Sequence, residues 1–269
     1  MNNDSISILL TVYNKETIIK DIFWAMIQNT SDKVKEIIIV LDGCTDESEN
    51  ILKKFIAEKL TVNIEGVIKF IYTDNINETR ANNVGLKSSI CDYTIIVQDD
   101  CLIMEQDFDL NMLKPFKMIP NLLAVSGRDA VDTRFVNGVF NFYNISGADS
   151  NTPNNILSIR DVINRSPLML DNKKLKQLNY LDESFAPLSM DDVDLSIRAY
   201  KEFGYLVGSR TVNFISRPEW GTTRGNPESA AIFDQSLIKN TMLLKERHYD
   251  FIVGKKHSID IIIPERKKE

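Results

Sequence analysis

With 269 residues, a formal net charge of −6 and a pI near 5.2, the chain is long enough for one large α/β domain and too acidic for a general nucleic-acid binder. Its 43% hydrophobic and 26% charged content is that of a soluble globular protein with a full core. Cys44, Cys91 and Cys101 form no Cys-x-x-Cys pair and cannot all be paired with one another, so a reducing compartment is expected.

The start, Met1-Asn2-Asn3-Asp4, lacks the basic and apolar segments of a signal peptide, and no apolar run approaches the roughly 18 residues of a membrane span. A cytoplasmic location is expected. The basic end, Pro264-Glu265-Arg266-Lys267-Lys268-Glu269, reads as a solvated tail, with peripheral contact to an anionic membrane as the alternative.

Residues 5–12, Ser-Ile-Ser-Ile-Leu-Leu-Thr-Val, predict a buried first strand. Asn14 is placed to cap a helix whose apolar stripe is Ile18, Ile19, Ile22, Phe23, Met26 and Ile27. Residues 36–41 predict a second strand. Asp46 and Glu49 then have the spacing of a capping box, opening a helix with Ile51, Leu52, Phe55 and Ile56 on one face. A third strand is predicted at 67–72, a helix at 79–89 and a fourth strand at 93–97. Strands and helices alternating in this way imply right-handed crossovers and a largely parallel sheet.

The fourth strand, apolar and β-branched, ends abruptly in Asp99 and Asp100. Neighbouring carboxylates repel each other, so a pair at the rim of a buried sheet points to a cation or ligand; taken alone, it fits equally well a turn that faces water. Ligands of open α/β sheets bind outside the carboxyl ends of the strands, where Tyr13, Asp42, Asp99 and Asp100 would converge. No Gly-x-Gly-x-x-Gly follows the first strand and no P-loop is present, which disfavours a dehydrogenase or a typical methyltransferase. His248 and His257 have no partner at metal-ligand spacing and read as surface or satisfied histidines.

Beyond Glu105, the spacing of Phe108, Leu110, Met112, Leu113, Phe116 and Met118 predicts a helix, and Ala124-Val125-Ser126 a short strand. Residues 128–155, rich in Asn, Asp and Gly around an aromatic segment, predict a long irregular binding loop. A strand is predicted at 162–170 and a short helix at 172–178. Leu195, Ala199 and Phe203 then share one helical face, and Gly204 can end that helix. Asp191 and Asp192 fall at its N-terminus, where the dipole keeps carboxylates ionised; plain capping is the other reading, and Asp194 is assigned to helix stabilisation.

These residues, in this order, resemble the family 2 glycosyltransferases, inverting enzymes of the GT-A fold, over residues 5–212. Ile8-Leu9-Leu10-Thr11-Val12-Tyr13-Asn14 is similar to the family's first strand and its Tyr-Asn. Val40-Leu41-Asp42-Gly43-Cys44-Thr45-Asp46 is similar to Val-Asp-Asp-Gly-Ser-Thr-Asp, and Ala81-Asn82-Asn83-Val84-Gly85 to Ala-Arg-Asn-x-Gly. Gln98-Asp99-Asp100 resembles the Asp-x-Asp metal motif, and Asp191-Asp192 the Glu-Asp catalytic motif.

The resemblance implies an α/β GT-A fold, a Rossmann-like mostly parallel sheet flanked by helices with a C-terminal acceptor-binding part. Residues 1–126 would form the nucleotide-sugar-binding half and 127–269 the acceptor-binding and catalytic-base half of one domain. It implies a nucleotide-diphospho-sugar donor, commonly UDP-linked, and a glycan, lipid-linked sugar or protein acceptor. Thr11, Tyr13, Asn14, Asp42 and Asn83 would line the donor pocket, with Asp42 accepting from the base and Asp99 holding the ribose. Asp100 would bind Mn2+ or Mg2+, and Asp192, beside Asp191, would be the general base. The family's histidine after the catalytic helix is missing; Arg217 or Arg224 is expected to contact the diphosphate instead, with Trp220 near the acceptor. A catalytically silent GT-A-like binding domain is the alternative. A nucleotidyltransferase would need a Gly-rich, basic first loop that this chain lacks.

Overall fold

The computed structural model describes residues 4–59, 67–221, 227–254 and 256–264. Strand and helix alternate at first: β1 (Ile6–Val12), α1 (Ile19–Gln28), β2 (Val34–Asp42), α2 (Ser48–Lys59), β3 (Val67–Thr73), α3 (Glu78–Ser88) and β4 (Tyr93–Gln98). A short β5 (Leu102–Ile103), α4 (Phe108–Met118) and β6 (Leu122–Ser126) follow, then β7 (Asp129–Val136) and β8 (Val139–Gly147). Next come β9 (Ile156–Arg160), β10 (Val162–Asn164), β11 (Leu168–Asp171), α5 (Asn172–Gln177) and α6 (Asp191–Phe203). The described chain closes with β12 (Leu206–Ser209), β13 (Phe214–Ile215), α7 (Pro227–Val253) and β14 (Ile259–Ile262).

Nine strands form the central sheet in the order β14-β9-β12-β6-β11-β4-β1-β2-β3. β1 to β4 are mutually parallel, and β6 and β12 run in the same direction because β11 lies antiparallel between β4 and β6. Two smaller sheets, β10-β7-β8 and β13-β5, stand beside it. The central strands are mostly apolar because both faces are covered. Ile6, Ile8, Leu10 and Val12 pack in one cluster with Ile19, Ile22, Phe23 and Met26 of α1, while Leu9 on the other face joins Ile38, Val40, Ala81 and Leu86. Gly85 allows α3 this close approach, since a Cβ there would lie 2.2 Å from a Leu9 methyl.

Several local expectations change. Asn14 does not cap α1; it sits at φ +50° and its side-chain oxygen accepts from the backbone N–H groups of Thr45 and Asp46. Asp46 caps α2 without a box: it accepts from Ser48 N–H and Glu16 N–H, while Glu49 faces Lys53 and Tyr72. Residues 129–147 are no irregular loop but the β7–β8 hairpin, because antiparallel pairing satisfies the backbone that the Asn- and Gly-rich composition seemed to leave open. The strand expected at 162–170 is two strands, and the break between them carries Arg165 and Ser166 into the site.

Candidate active site

Parallel pairing brings the carboxyl ends of β1, β2 and β4 to one rim, with Thr11 in register with Val40 and Gln98. Asp42 ends β2 in the turn that follows at Gly43, where φ is +66° and a Cβ would lie 2.7 Å from Asn75 N, so there is no room for a side chain. The Asp42 carboxylate, 3% exposed, accepts from Thr73 Oγ1 at 2.8 Å, Ile76 N at 2.7 Å and Asn77 N at 3.1 Å. Asp99 accepts from Tyr13 N–H at 2.9 Å and lies 3.7 Å from Lys15 Nζ. Burial pushes its carboxyl up to about 7, with Lys15 and the Tyr13 N–H opposing and Asp100 and Glu78 adding to the rise. Buried Lys15 also donates to the carbonyl of Trp220, so the segment 217–221 is drawn across the ends of β1 and β4. A Cβ on Gly221 would stand 3.3 Å from Asp100 Oδ2.

Asp100 itself is partly exposed and accepts no hydrogen bond from the described residues. A single open carboxylate is a hard oxygen donor of the kind Mn2+ or Mg2+ takes together with diphosphate and water oxygens. Asp100 therefore fits a divalent metal that takes its other oxygen ligands from elsewhere.

A second cluster adjoins this rim. The Arg165 guanidinium, 6% exposed, donates from Nη2 to Asp191 Oδ1, and its Nε lies 3.8 Å from Asp192 Oδ2 and its Nη1 3.7 Å from Glu78 Oε1. Arg165 N–H also donates to Asp192 Oδ2 at 3.2 Å, and Val193 N–H to Asp192 Oδ1 at 2.9 Å. Asp191 is fully buried, whereas the Asp192 side chain is 14% exposed. Burial raises the Asp192 carboxyl to about 6, with Arg165 pulling it down and Asp191 pushing it up. The clusters are joined twice: Ser166, next to Arg165, accepts from Gln98 N–H at 2.9 Å, and Gln98 Nε2 donates to Glu78 at 2.9 Å. The Glu78 carboxyl is raised by burial, against Arg165, and further by Asp191 and Asp100.

Residues 7–157, more than half of the chain, match the family model described as Glycosyl transferase family 2. The chain belongs to glycosyl transferase family 2. It is 30% identical over 131 residues to the poly-beta-1,6-N-acetyl-D-glucosamine synthase of Staphylococcus aureus (strain COL), a match covering 48% of this chain and 29% of that protein. The chain thus aligns with under a third of this curated relative. Among solved structures it resembles GalNAc-T7 with UDP, GalNAc and Mn2+, at TM-score 0.70 and 12% identity, over 92% of this chain and 49% of that one. It also resembles S. aureus TarS 1–349, at TM-score 0.56 and 18% identity, over 93% and 69%. These likenesses establish the GT-A fold.

Within this family 2 domain the expected site residues divide. Tyr13, Asp42, Asp99 and Asp100 share the rim, and Asp191 and Asp192 lie beside it. Thr11 donates its hydroxyl to Asn82 at 2.9 Å. The Asn14 amide is engaged by the loop at Thr45, so it shapes the pocket rather than facing it. Asn83, 1% exposed, donates both amide hydrogens to Leu181 O and Glu183 and accepts from Leu181 N–H; it braces α3 and has no donor left for a nucleotide. Arg217 is exposed, with its guanidinium 5.1 Å from the Trp220 ring centroid, and Trp220 packs partly against the core. Arg224 lies outside the described residues. Sequence reasoning missed Lys15, Glu78 and Arg165. Arg165 carried no signal, since it sat inside a predicted strand; Glu78 and Lys15 flank recognised motifs as ordinary charged residues.

Proposed function

We propose that the domain is an inverting glycosyltransferase that moves a sugar from a nucleotide-diphospho-sugar, UDP-linked, to an acceptor hydroxyl on a glycan, lipid-linked sugar or protein. The observation that carries this reading is the junction of two carboxylate clusters on one rim: open Asp100 on one side, partly open Asp192 on the other, linked through Gln98, Ser166 and Arg165. The UDP and Mn2+ in the GalNAc-T7 structure support the donor and the metal, with Mg2+ the second choice.

In this reading residues up to 126 bind the donor. A carboxylate offers about four acceptor sites, so Asp42, with three used by the protein, keeps one for a base N–H. Thr11 and Tyr13 border the base, and Asp99 faces the ribose. Asp100 would hold the divalent ion, whose charge offsets that building on the departing diphosphate. Arg217 would leave Trp220 to contact that diphosphate, and Trp220 would border the acceptor. Asp192 accepts the acceptor's hydroxyl proton, and the freed oxygen attacks the anomeric carbon opposite the leaving group, so the configuration inverts. A carboxyl near 6 is ionised at neutral pH yet basic enough for that proton.

Calorimetric titration with UDP, GDP and dTDP, each with and without Mn2+, on the wild type and Asp100→Asn, tests the donor site. Metal-dependent binding of UDP that disappears in Asp100→Asn is expected. A folded protein that binds none of the three overturns the reading in favour of a silent domain.

A further inference from the structure

Arg165 has no part in the metal motif or in the residues that meet the donor, yet it is the cation at which three carboxylates converge. Its side chain is nearly buried, with Asp191 Oδ1 on Nη2, Glu78 3.7 Å from Nη1 and Asp192 3.8 Å from Nε. We propose that Arg165 is a positioning residue for the transfer: its guanidinium and its backbone N–H together aim the Asp192 carboxylate and keep it ionised. The proposal rests on the reading of Asp192 as general base.

Asp192 has no side-chain hydrogen-bond donor among the described residues; Arg165 N–H and Val193 N–H hold one oxygen each, which leaves a lone pair on each for an incoming hydroxyl. Asp191 stands next to it in a wholly buried place, accepting from Arg165 and from Asp192 N–H. Two adjacent carboxylates in such a place cannot both stay ionised without a cation, and Arg165 is the one they share. The engagement is one-handed: Asp191 Oδ2 and Arg165 Nη1 are buried and form no hydrogen bond among the described residues, so Nη1 remains turned toward Glu78. Through Glu78 and Gln98 the same guanidinium is tied to the end of β4, two residues before Asp100.

The charged groups facing Asp192 are Arg165 from the β10–β11 connection, Asp191 from its own helix and, beyond Arg165, Glu78 from α3. His248 of α7 faces Asp194 instead. Removing Arg165 deletes the opposing charge and leaves the like charge, so the proton affinity of Asp192 must rise.

The test follows the Asp192 carboxyl carbon by NMR titration of aspartate-labelled protein, assigned by its loss in Asp192→Asn, in wild type, Arg165→Lys and Arg165→Met. Arg165→Met is expected to move the Asp192 midpoint up by at least one pH unit, a tenfold change in proton affinity. Arg165→Lys keeps the charge without the planar fork and is expected to move it less. UDP binding with Mn2+ should be unchanged in both variants, and a midpoint shift in a variant that still binds UDP is something a merely structural role would not produce. The proposal is overturned if the midpoint is unmoved in a folded Arg165→Met or, should that variant not fold, in Arg165→Lys. Wild type that binds no nucleotide overturns the donor reading while the titration still decides the role of Arg165.

Discussion

Asp192 shows how one residue's chemistry is set by what surrounds it. Its acid form is favoured by burial and by Asp191, its ionised form by Arg165, and the balance lies at about 6. A base works only when deprotonated, so turnover should rise with pH through about 6 and level off above 7, falling about tenfold per unit below the midpoint. Initial rates of nucleoside diphosphate release between pH 4.5 and 8 check this; a flat profile would remove Asp192 from the role. Asp192→Asn should lower the plateau rate by about 10²–10⁴. Asp192 was singled out in the sequence because Asp191-Asp192 resembles the family's Glu-Asp motif; acids at a helix start, taken alone, fit plain capping as well. Arg165 was not: its meaning comes from being placed beside residues 26 and 27 positions away, which no local spacing encodes.

Among elements, α6 carries Asp192, and α7 packs against it. Asp194, fully buried, accepts from Arg198 Nε at 2.6 Å on its own helix and pairs with His248 Nε2 at 2.8 Å on α7. Lys201 Nζ lies 3.5 Å from His248 Nδ1, and an ammonium can only donate, so Nδ1 accepts and Nε2–H donates to Asp194. The sequence assigned Asp194 to its own helix and read His248 as a surface or satisfied histidine; His248 is buried and satisfied, but its partnership with Asp194 across 54 residues had no local trace. His248→Ala leaves one oxygen of a buried carboxylate without its partner, which should cost about 1–3 kcal/mol. The thermal midpoint should fall by about 2–4 °C for each kcal/mol in a protein near this size. An unchanged melt would mean that α7 docks through its apolar contacts alone. The β7–β8 hairpin was hidden for a different reason: its turn and bulge residues dominate the composition, while its pairing partner β10 lies beyond residue 160.

For the whole molecule, the order of strands in the sheet matters more than the order of residues in the chain. The alternation of strands and helices up to β4 was readable because the apolar runs of β1, β2 and β4 are buried on both faces and one short helix links each strand to the next. Past β4 the sheet is assembled from distant pieces: β11 inserts between β4 and β6, and β12 pairs with β6 on its other side. A division at residue 126 into donor and acceptor halves can therefore describe roles, but it cuts between hydrogen-bonded strands. Residues 1–126 alone would expose the β4 edge, and β6, which pairs with β11 and β12, would lose both partners. Unpaired, apolar strand edges are a route to aggregation rather than to a stable domain. The fragment 1–126 should accordingly show no cooperative thermal transition and should aggregate, whereas the full chain melts in one step. A monomeric fragment with a sharp transition and metal-dependent UDP binding would show instead that the first half folds by itself, and that the strands beyond it serve only to bring Arg165 and Asp192 to the rim.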